Sequence, residues 1–205
     1  GLRLGPLDQS PIRDVWVLHA QNGHTAIGRA PGVIAAGIPG YWIAHPSAMT
    51  VTPGRWTASL VVAAALVLLF LALEPRAGRA TALVSTLALG FATPVWSVAA
   101  DGIWPQTITI FGIAGMAWAS VNRRWWWAGV FGGVALWSRL PTAVIVATLG
   151  IYVAFARRAP LIAVKVAVTS SCLLGALCAW TRWMYGSWDP TTSYDSSTLQ
   201  AHASE

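Results

Sequence analysis

The feature of this sequence that most restricts its fold is a succession of long apolar segments with almost no charge. A helix that crosses the hydrocarbon core of a bilayer needs about 20 residues, with a range of about 17 to 25. Residues 57–73 carry no charge, and residues 80–100 and 102–122 are uncharged runs of 21 residues each. Only Asp101 separates the last two runs, so the three segments predict three membrane-spanning helices.

The second half of the chain predicts further membrane helices, one of them broken. Residues 125–156 contain a single charge, Arg139, and Pro141 follows two positions later. Because proline interrupts the helical hydrogen-bond ladder and restricts the residue before it, we predict two short helices that meet at residues 139–141. Residues 161–180 predict a last span, from which Lys165 can snorkel toward the headgroups.

The apolar segment 30–44 differs from these spans because it contains Pro31, Pro39 and three glycines. It predicts an interfacial or re-entrant helix within an outer loop that covers residues 1–56. A transmembrane bundle over residues 57–181 and an outer polar tail over residues 182–205 are expected to follow. The predicted fold class is therefore all-α, a polytopic integral membrane helical bundle of about five to six helices.

Composition excludes several other classes of protein. Charged residues make up 10% of the chain, against about 25% in soluble domains, and the 13 tryptophans exclude a disordered chain. The formal net charge is +6, but the basic residues are scattered between apolar runs and form no patch for nucleic acid. The expected partner is therefore the lipid bilayer, and nucleic acid is excluded.

The basic residues predict how the chain is oriented. Alternate crossings place seven of them on one face: Arg76, Arg79, Arg123, Arg124, Arg157, Arg158 and Lys165. An excess of lysine and arginine marks the cytoplasmic face. All five aspartates then fall on the opposite face. We therefore expect a multi-pass protein of the plasma membrane whose chemistry takes place on the extracytoplasmic side.

Four segments together carry a family resemblance. They are residues 24–43 (HTAIGRAPGVIAAGIPGYWI), 91–107 (FATPVWSVAADGIWPQT), 129–142 (GVFGGVALWSRLPT) and 183–195 (WMYGSWDPTTSYD). In order and spacing they resemble the membrane glycosyltransferases of the GT-C superfamily. The similar branch contains the protein O-mannosyltransferases, the aminoarabinose transferases and the actinobacterial arabinofuranosyl or mannosyl transferases. The likeness covers nearly the whole chain but lacks the family's first span and later spans, so we expect a fragment.

The motifs behind this likeness each depart from the family pattern. Residues 29–32 resemble a Lys-Tyr-Pro-Pro-Gly-like turn, with alanine in place of the first proline. Residues 92–97 and 103–106 resemble Gly-Thr-Pro-Leu-Trp-Ser followed by Leu-Trp-x-His-Gly-Pro, with Gln106 in place of the histidine. Residues 138–141 resemble Thr-Arg-Pro with a leucine inserted.

The resemblance implies a hexosyl- or pentosyltransferase that acts at the outer membrane face. Such an enzyme moves a sugar from a polyprenyl-phosphate donor to a glycan, lipid or protein acceptor of the cell envelope. Related enzymes differ in whether they require a divalent cation, so the resemblance leaves this cofactor open. His19, His24 and His45 lack the spacing of a zinc site, and we expect no metal-ligating residues among them.

The candidate catalytic residues are aspartates. In the family an aspartate of the first outer loop acts as general base on the acceptor hydroxyl, and Asp14 or Asp8 stands in that loop here. Asp14 is favoured because the apolar residues 15–18 that follow it can pin it to the membrane surface. The structural alternative is an ordinary loop carboxylate that pairs with Arg13 or caps a helix.

The candidate ligands of the donor phosphate are Arg139 and Arg29. Arg139 is the charge most deeply embedded in apolar sequence, and a guanidinium can bind a phosphate with two parallel hydrogen bonds. The alternative for both arginines is a contact with lipid headgroups.

The candidate substrate-binding residues lie around the turn between the second and third spans. They are Asp101, Trp104, Gln106 and Trp96. Asp101 could orient a sugar hydroxyl or a metal, and the two indoles could stack on a sugar ring. Alternatively, Asp101 caps the helix that follows it, and the tryptophans belong to an interfacial belt.

Two other function classes stay open at this point. A transporter or flippase for a lipid-linked sugar would also use a broken helix with an embedded arginine. A transporter, however, places charge near the membrane midplane, whereas here the carboxylates gather at one face. A non-catalytic membrane scaffold, or an inactive fragment, would tolerate replacement of the outer aspartates and arginines.

Overall fold

The computed structural model of this chain describes residues 17–19, 25–27, 30–47 and 50–193. Apart from two strands of three residues each, that part of the chain is helical, as the sequence predicts. The α-helices are α1 (Pro31–Ala44), α2 (Thr52–Ala77), α3 (Arg79–Phe91), α4 (Pro105–Val121), α5 (Trp125–Ser138), α6 (Thr142–Ala156) and α7 (Pro160–Tyr185).

The other described elements are short. Strands β1 (Val17–His19) and β2 (Thr25–Ile27) pair antiparallel, and their valine, threonine and isoleucine residues favour an extended backbone. A π-helical turn spans Val95–Ala99, and a 3₁₀ turn spans Pro190–Ser193. The two strands are only three residues each, and the described part of the chain keeps the predicted all-α class.

The chain divides into two compact units. One comprises residues 31–174 and contains α1 to α6 with the first part of α7. The other comprises residues 1–30 and 175–205, and within it the rings of Trp180 and Tyr185 pack edge-on with centroids 5.5 Å apart. Every candidate site residue that the structure describes belongs to the first unit.

The break predicted within residues 125–156 is present. Helix α5 ends at Ser138, and Arg139 leaves it in an extended conformation with φ −152° and ψ 112°. Helix α6 begins at Thr142, whose hydroxyl donates to the carbonyl of Arg139 at 2.6 Å. The chain therefore turns at Arg139 and leaves the side chain of this residue exposed.

The single helix predicted over residues 80–100 is wrong in its extent. Helix α3 ends at Phe91, and the π-helical turn follows after a short break. Pro94 has no N–H to continue the ladder, and the hydroxyl of Thr93 donates instead to the carbonyl of Leu89 at 2.5 Å. With 13 residues α3 is about 20 Å long, less than the roughly 30 Å of a bilayer core.

Two described helices, α2 and α7, are long and apolar enough to cross a membrane, judged by length and composition. Each has 26 residues, and only 22% of the apolar stretch of each is buried within the structure. Helices α3 and α6 are shorter apolar helices. The number of spans beyond these two stays a prediction.

Close helix packing builds the core of the first unit. Its buried centre consists of Met116, Ala119, Ala128, Val146 and Val166, contributed by helices α4 to α7. Glycines allow the backbones to meet: a Cβ atom at Gly112 would lie only 2.8 Å from the carbonyl oxygen of Phe131. Helices α4 and α5 therefore pack closely. Gln106 lies at the start of α4, and Arg139 follows the end of α5.

Helix α1 runs across the ends of three other segments. At its start, a Cβ atom at Gly32 would lie 2.9 Å from the backbone of Trp137 in α5. In its middle, Gly37 faces the side chain of Ile103, just before α4. Near its end, Gly40 faces Thr57 in the first turns of α2. Three glycines at successive crossings therefore let α1 lie flat against these ends, as a helix at an interface would.

Candidate functional site

An apolar cavity of about 350 Å³ lies beneath α1, and we name it the α1 cavity. Its walls come from α1, α2, α4, α5 and α7, and every side chain that lines it is apolar. The lining residues are Gly32, Ala35, Ala36, Val61, Ile108, Phe111, Val134, Trp137 and Leu173. The indole N–H of Trp137 donates to the carbonyl of Leu173 at 2.7 Å, so this wall presents no unpaired donor to an apolar occupant.

The segment that follows the α5 wall of this cavity carries a positive charge. Arg139 follows the cavity residue Trp137 by two positions, and its guanidinium is exposed. No carboxylate in the described part of the chain forms an ion pair with Arg139. The first turn of α1 contacts the backbone of Trp137 through Gly32, and a helix N-terminus carries partial positive charge. An anion could therefore interact with both at this end.

Asp101 does not cap the following helix, so that alternative is wrong. The residue before α4 is Trp104, whose backbone N–H donates to the hydroxyl of Thr107 at 3.2 Å. Asp101 forms an ion pair with Arg55 instead, with Nε and Oδ1 3.5 Å apart. Both side chains are more than half exposed, at 66% and 59%, so the pair adds little stability and leaves the carboxylate accessible.

Gln106 is the most unusual polar residue of this region. Its Oε1 atom is buried, and it accepts no hydrogen bond from any described residue. A buried acceptor without a donor costs about 1–3 kcal/mol, so such groups are rare in a packed fold.

The two candidate tryptophans are exposed to different extents. Trp96 lies in the π-helical turn, is 59% exposed, and packs against Phe91 with centroids 5.3 Å apart. Trp104 is 45% exposed, and a Cβ atom at Gly102 would lie 3.0 Å from its Nε1 atom. Each indole thus presents surface on which a sugar ring or a lipid headgroup could pack.

Buried hydroxyls bring the two candidate regions to the first turns of α4. On one side, Thr109 and Ser138 are hydrogen-bonded at 2.9 Å, which joins α4 to the end of α5 that carries Arg139. On the other side, Thr107 donates to the carbonyl of Ala99 at 2.7 Å, just before the turn that carries Asp101. Gln106 directly precedes Thr107 in the first turn of α4. The structure therefore gathers Arg139, Gln106 and the Asp101 turn around one helix end.

Three predicted site residues lie outside the described part of the chain. They are Asp8, Asp14 and Arg29. Their roles stay predictions, and the pairing of Asp14 with Arg13 also lies outside. Within the described residues, no group of three or more His, Cys, Asp and Glu side chains forms a metal site.

Sequence reasoning missed the residues that assemble this region. The sequence patterns assign no role to Thr107, Thr109, Ser138 or Arg55, although all four form the contacts described above. Polar side chains in apolar helices often bond to neighbouring helices, and that is the one signal that could have singled them out.

No family model, curated protein or solved structure matches this chain. The relation to GT-C transferases therefore stays an inference from the motifs quoted above.

Proposed function

We propose that this chain is a multi-pass plasma-membrane glycosyltransferase of the GT-C type, with its site on the extracytoplasmic face. It transfers a sugar from a polyprenyl-phosphate donor to an acceptor of the cell envelope. The proposal combines a membrane location, a place for the donor and groups for the acceptor, and each has separate support.

The membrane location is supported by the outward surface of the helices. Large apolar side chains face outward along α2, α3 and α6, including Leu60 at 68%, Val84 at 67% and Phe155 at 85% exposure. In water each exposed apolar Å² forfeits about 25 cal/mol of burial energy, so a helical bundle with this surface is suited to lipid. About five to six crossings follow if the shorter helices α3 to α6 also cross.

The observation that carries the function is the apolar α1 cavity, with the exposed Arg139 two residues along the chain from its α5 wall. The donor joins a long hydrocarbon tail to a phosphodiester that carries one negative charge. The apolar cavity suits the tail, and the Arg139 guanidinium suits the phosphate. When the sugar leaves, charge grows on the phosphate oxygen that held it, and a fixed cation stabilises that charge.

The acceptor side of the reaction needs a base and a surface for the sugar. Asp14, or Asp8, removes the proton from the acceptor hydroxyl, and the resulting oxygen attacks the anomeric carbon as the bond to phosphate breaks. Asp101 and Gln106 accept hydrogen bonds from sugar hydroxyls, and Trp104 and Trp96 pack against the ring. The polyprenyl phosphate departs with Arg139 against its charge.

Reconstituted protein tests this function directly. Proteoliposomes that contain the chain are given polyprenyl-phosphate mannose or polyprenyl-phosphate arabinofuranose, each labelled in the sugar, with envelope extract as acceptor. The proposal is supported if the wild type transfers label to the acceptor and this transfer is lost in Asp14→Asn, in Asp8→Asn or in both. Full transfer in both variants removes the base assignment. Movement of intact donor across the bilayer without cleavage indicates a flippase and overturns the proposal.

A further inference from the structure

The α1 cavity is short along each helix that lines it. Its lining on α4 falls within residues 108–111, and its lining on α5 within residues 134–137. At 1.5 Å per residue each stretch is about 5 Å long, a single helical turn. The lining on α1, within residues 32–36, is about 6 Å long. The cavity can therefore hold only a short piece of a long hydrocarbon tail.

The volume of the cavity indicates how long that piece is. The α1 cavity has a volume of about 350 Å³. A dry apolar cavity of about 150 Å³ in a protein core holds benzene, which has six carbon atoms. By the same ratio the α1 cavity holds about fourteen carbon atoms. An isoprene unit has five carbon atoms, so the cavity matches about three of these units.

The cavity is open beside α1. Ala35 lines it and is exposed, and Ala36 and Val61 are partly exposed. A chain held inside can therefore continue outward into the surrounding lipid. At the α5 wall, Trp137 precedes Arg139 by two residues, so their Cα atoms lie at most about 7 Å apart. The part of the tail that the cavity suits is thus the part nearest the phosphate.

We propose that the α1 cavity recognises the donor through its first isoprene units, about three of them, and that the rest of the tail stays in the bilayer. This inference rests on the proposed function, because it takes the occupant of the cavity to be the donor's tail. Lipid chains are as apolar as the tail, so units outside the cavity add little to binding. A tail too short to fill the cavity leaves part of its lining without contacts, which weakens binding.

Competition binding in nanodiscs tests the length of tail that is recognised. Labelled farnesyl phosphate, with three isoprene units, is displaced by geranyl, geranylgeranyl and undecaprenyl phosphate, which have two, four and eleven. Concentrations are expressed per lipid, so that water solubility does not enter. We expect geranyl phosphate to bind at least about tenfold more weakly than farnesyl phosphate, and the two longer compounds to bind within about twofold of it. Affinity that rises steadily up to undecaprenyl phosphate, or that ignores length, overturns the proposal.

A straight chain distinguishes an isoprenoid from an ordinary lipid chain. Dodecyl phosphate is as long as the main chain of farnesyl phosphate but lacks the methyl branches. It fills less of the cavity, and we expect it to bind severalfold more weakly. Equal affinity for the two would identify a pocket for any lipid chain and would contradict the isoprenoid assignment.

Variants that fill the cavity should shorten the preferred tail. Ala36→Phe adds six carbon atoms to one wall, about one isoprene unit, and Val61→Phe fills the cavity from α2. In both variants we expect geranyl phosphate to bind as well as or better than farnesyl phosphate. Ala64→Phe, at an exposed position of the same helix α2, is the matched control and should keep the wild-type order. The order of affinities is compared within each protein, so partial unfolding does not imitate the effect.

The binding results are separate from the test of sugar transfer. If farnesyl phosphate is preferred and Ala36→Phe reverses the order, the tail assignment holds even when no sugar is transferred, and the proposed function then fails alone. If sugar is transferred but the order of affinities is the same in Ala36→Phe, Val61→Phe and Ala64→Phe, the tail binds elsewhere and this inference is wrong.

Discussion

Arg139 carries the donor assignment at the scale of single residues. The structure places it at the end of α5, exposed, two residues beyond a wall of the α1 cavity. We expect Arg139→Gln to lower transfer from the polyprenyl-phosphate donor roughly ten- to hundredfold, as the loss of charge-assisted hydrogen bonds to a phosphate predicts.

In the same assay, Arg139→Lys distinguishes the contribution of the positive charge at position 139 from that of the planar guanidinium. It should recover part of the loss, because lysine keeps the charge but cannot bind two phosphate oxygens in a planar fork. Arg79→Gln, on the opposite predicted face, serves as the control and should transfer normally. Unchanged donor affinity in Arg139→Lys and Arg139→Gln would remove the phosphate role.

Replacement of Gln106 should lower sugar transfer without lowering the free energy of unfolding. Gln106→Leu deletes a buried acceptor that has no described donor, so we expect the free energy of unfolding to stay within about 1 kcal/mol or to rise, while transfer falls. Thr109→Val removes the bond to Ser138 and should instead lower the free energy of unfolding by about 1 kcal/mol. Thermal unfolding beside the transfer assay measures both. A destabilised but fully active Gln106→Leu protein would contradict the substrate role.

Asp189 offers a test of local structure by pH. The backbone N–H and then the hydroxyl of Thr191 donate to its carboxylate, each at 2.8 Å, and these bonds lower the pKa of Asp189. The turn is therefore stabilised at pH values above the ordinary carboxyl pKa, and this contribution is lost as the pH falls through the lowered pKa. Thr191→Val removes one of the two donors and should raise the pKa of Asp189 part of the way back. Carbon-13 NMR of the carboxyl follows the titration, and an ordinary pKa in the wild type would refute this arrangement.

At the scale of elements, apolar runs located most helices but not their ends. Residues 57–73 and 161–180 lie inside α2 and α7, and each helix is longer because polar residues at membrane edges can remain helical. Pro141 correctly predicted the break at Arg139, but the equivalent effect of Pro94 on residues 80–100 was overlooked. Hydropathy measures transfer to lipid and says nothing about backbone hydrogen bonds.

The candidate site depended on contacts that no local pattern reveals. Thr109 and Ser138 are 29 positions apart, and Ser59 meets the carbonyl of Ala100 across 41 positions. The sequence indicated Arg139 and Asp101 as charges at helix ends. It could not indicate that both regions attach to the first turns of α4, nor that α1 covers an apolar cavity beside them.

Replacement of Gly32 tests how closely α1 packs over the α1 cavity. A Cβ atom there would lie 2.9 Å from the backbone of Trp137, which cannot move aside as a flexible side chain can. We expect Gly32→Ala to lower the free energy of unfolding by about 1–3 kcal/mol and to weaken donor binding. Gly175→Ala is the matched control within α7, because nothing lies within 4 Å of its new methyl group. Chemical denaturation in detergent compares the two, and equal stability would contradict the close crossing.

At the scale of the whole molecule, the proposed function depends on which face of the membrane carries the candidate site. The α1 cavity, Arg139 and the Asp101 turn belong to the face predicted to be outside. Arg157 and Lys165 belong to the face predicted to be inside. A chain with the opposite orientation would present the candidate site to the cytoplasm.

Labelling of single cysteines in intact cells tests this orientation most directly. In a background with Cys172→Ala and Cys178→Ala, Asp101→Cys and Arg123→Cys are each treated with a membrane-impermeant maleimide. We predict that position 101 reacts in intact cells and that position 123 reacts only after the membrane is opened. Reaction at position 123 together with protection at position 101 would put the candidate site on the cytoplasmic side and contradict the account.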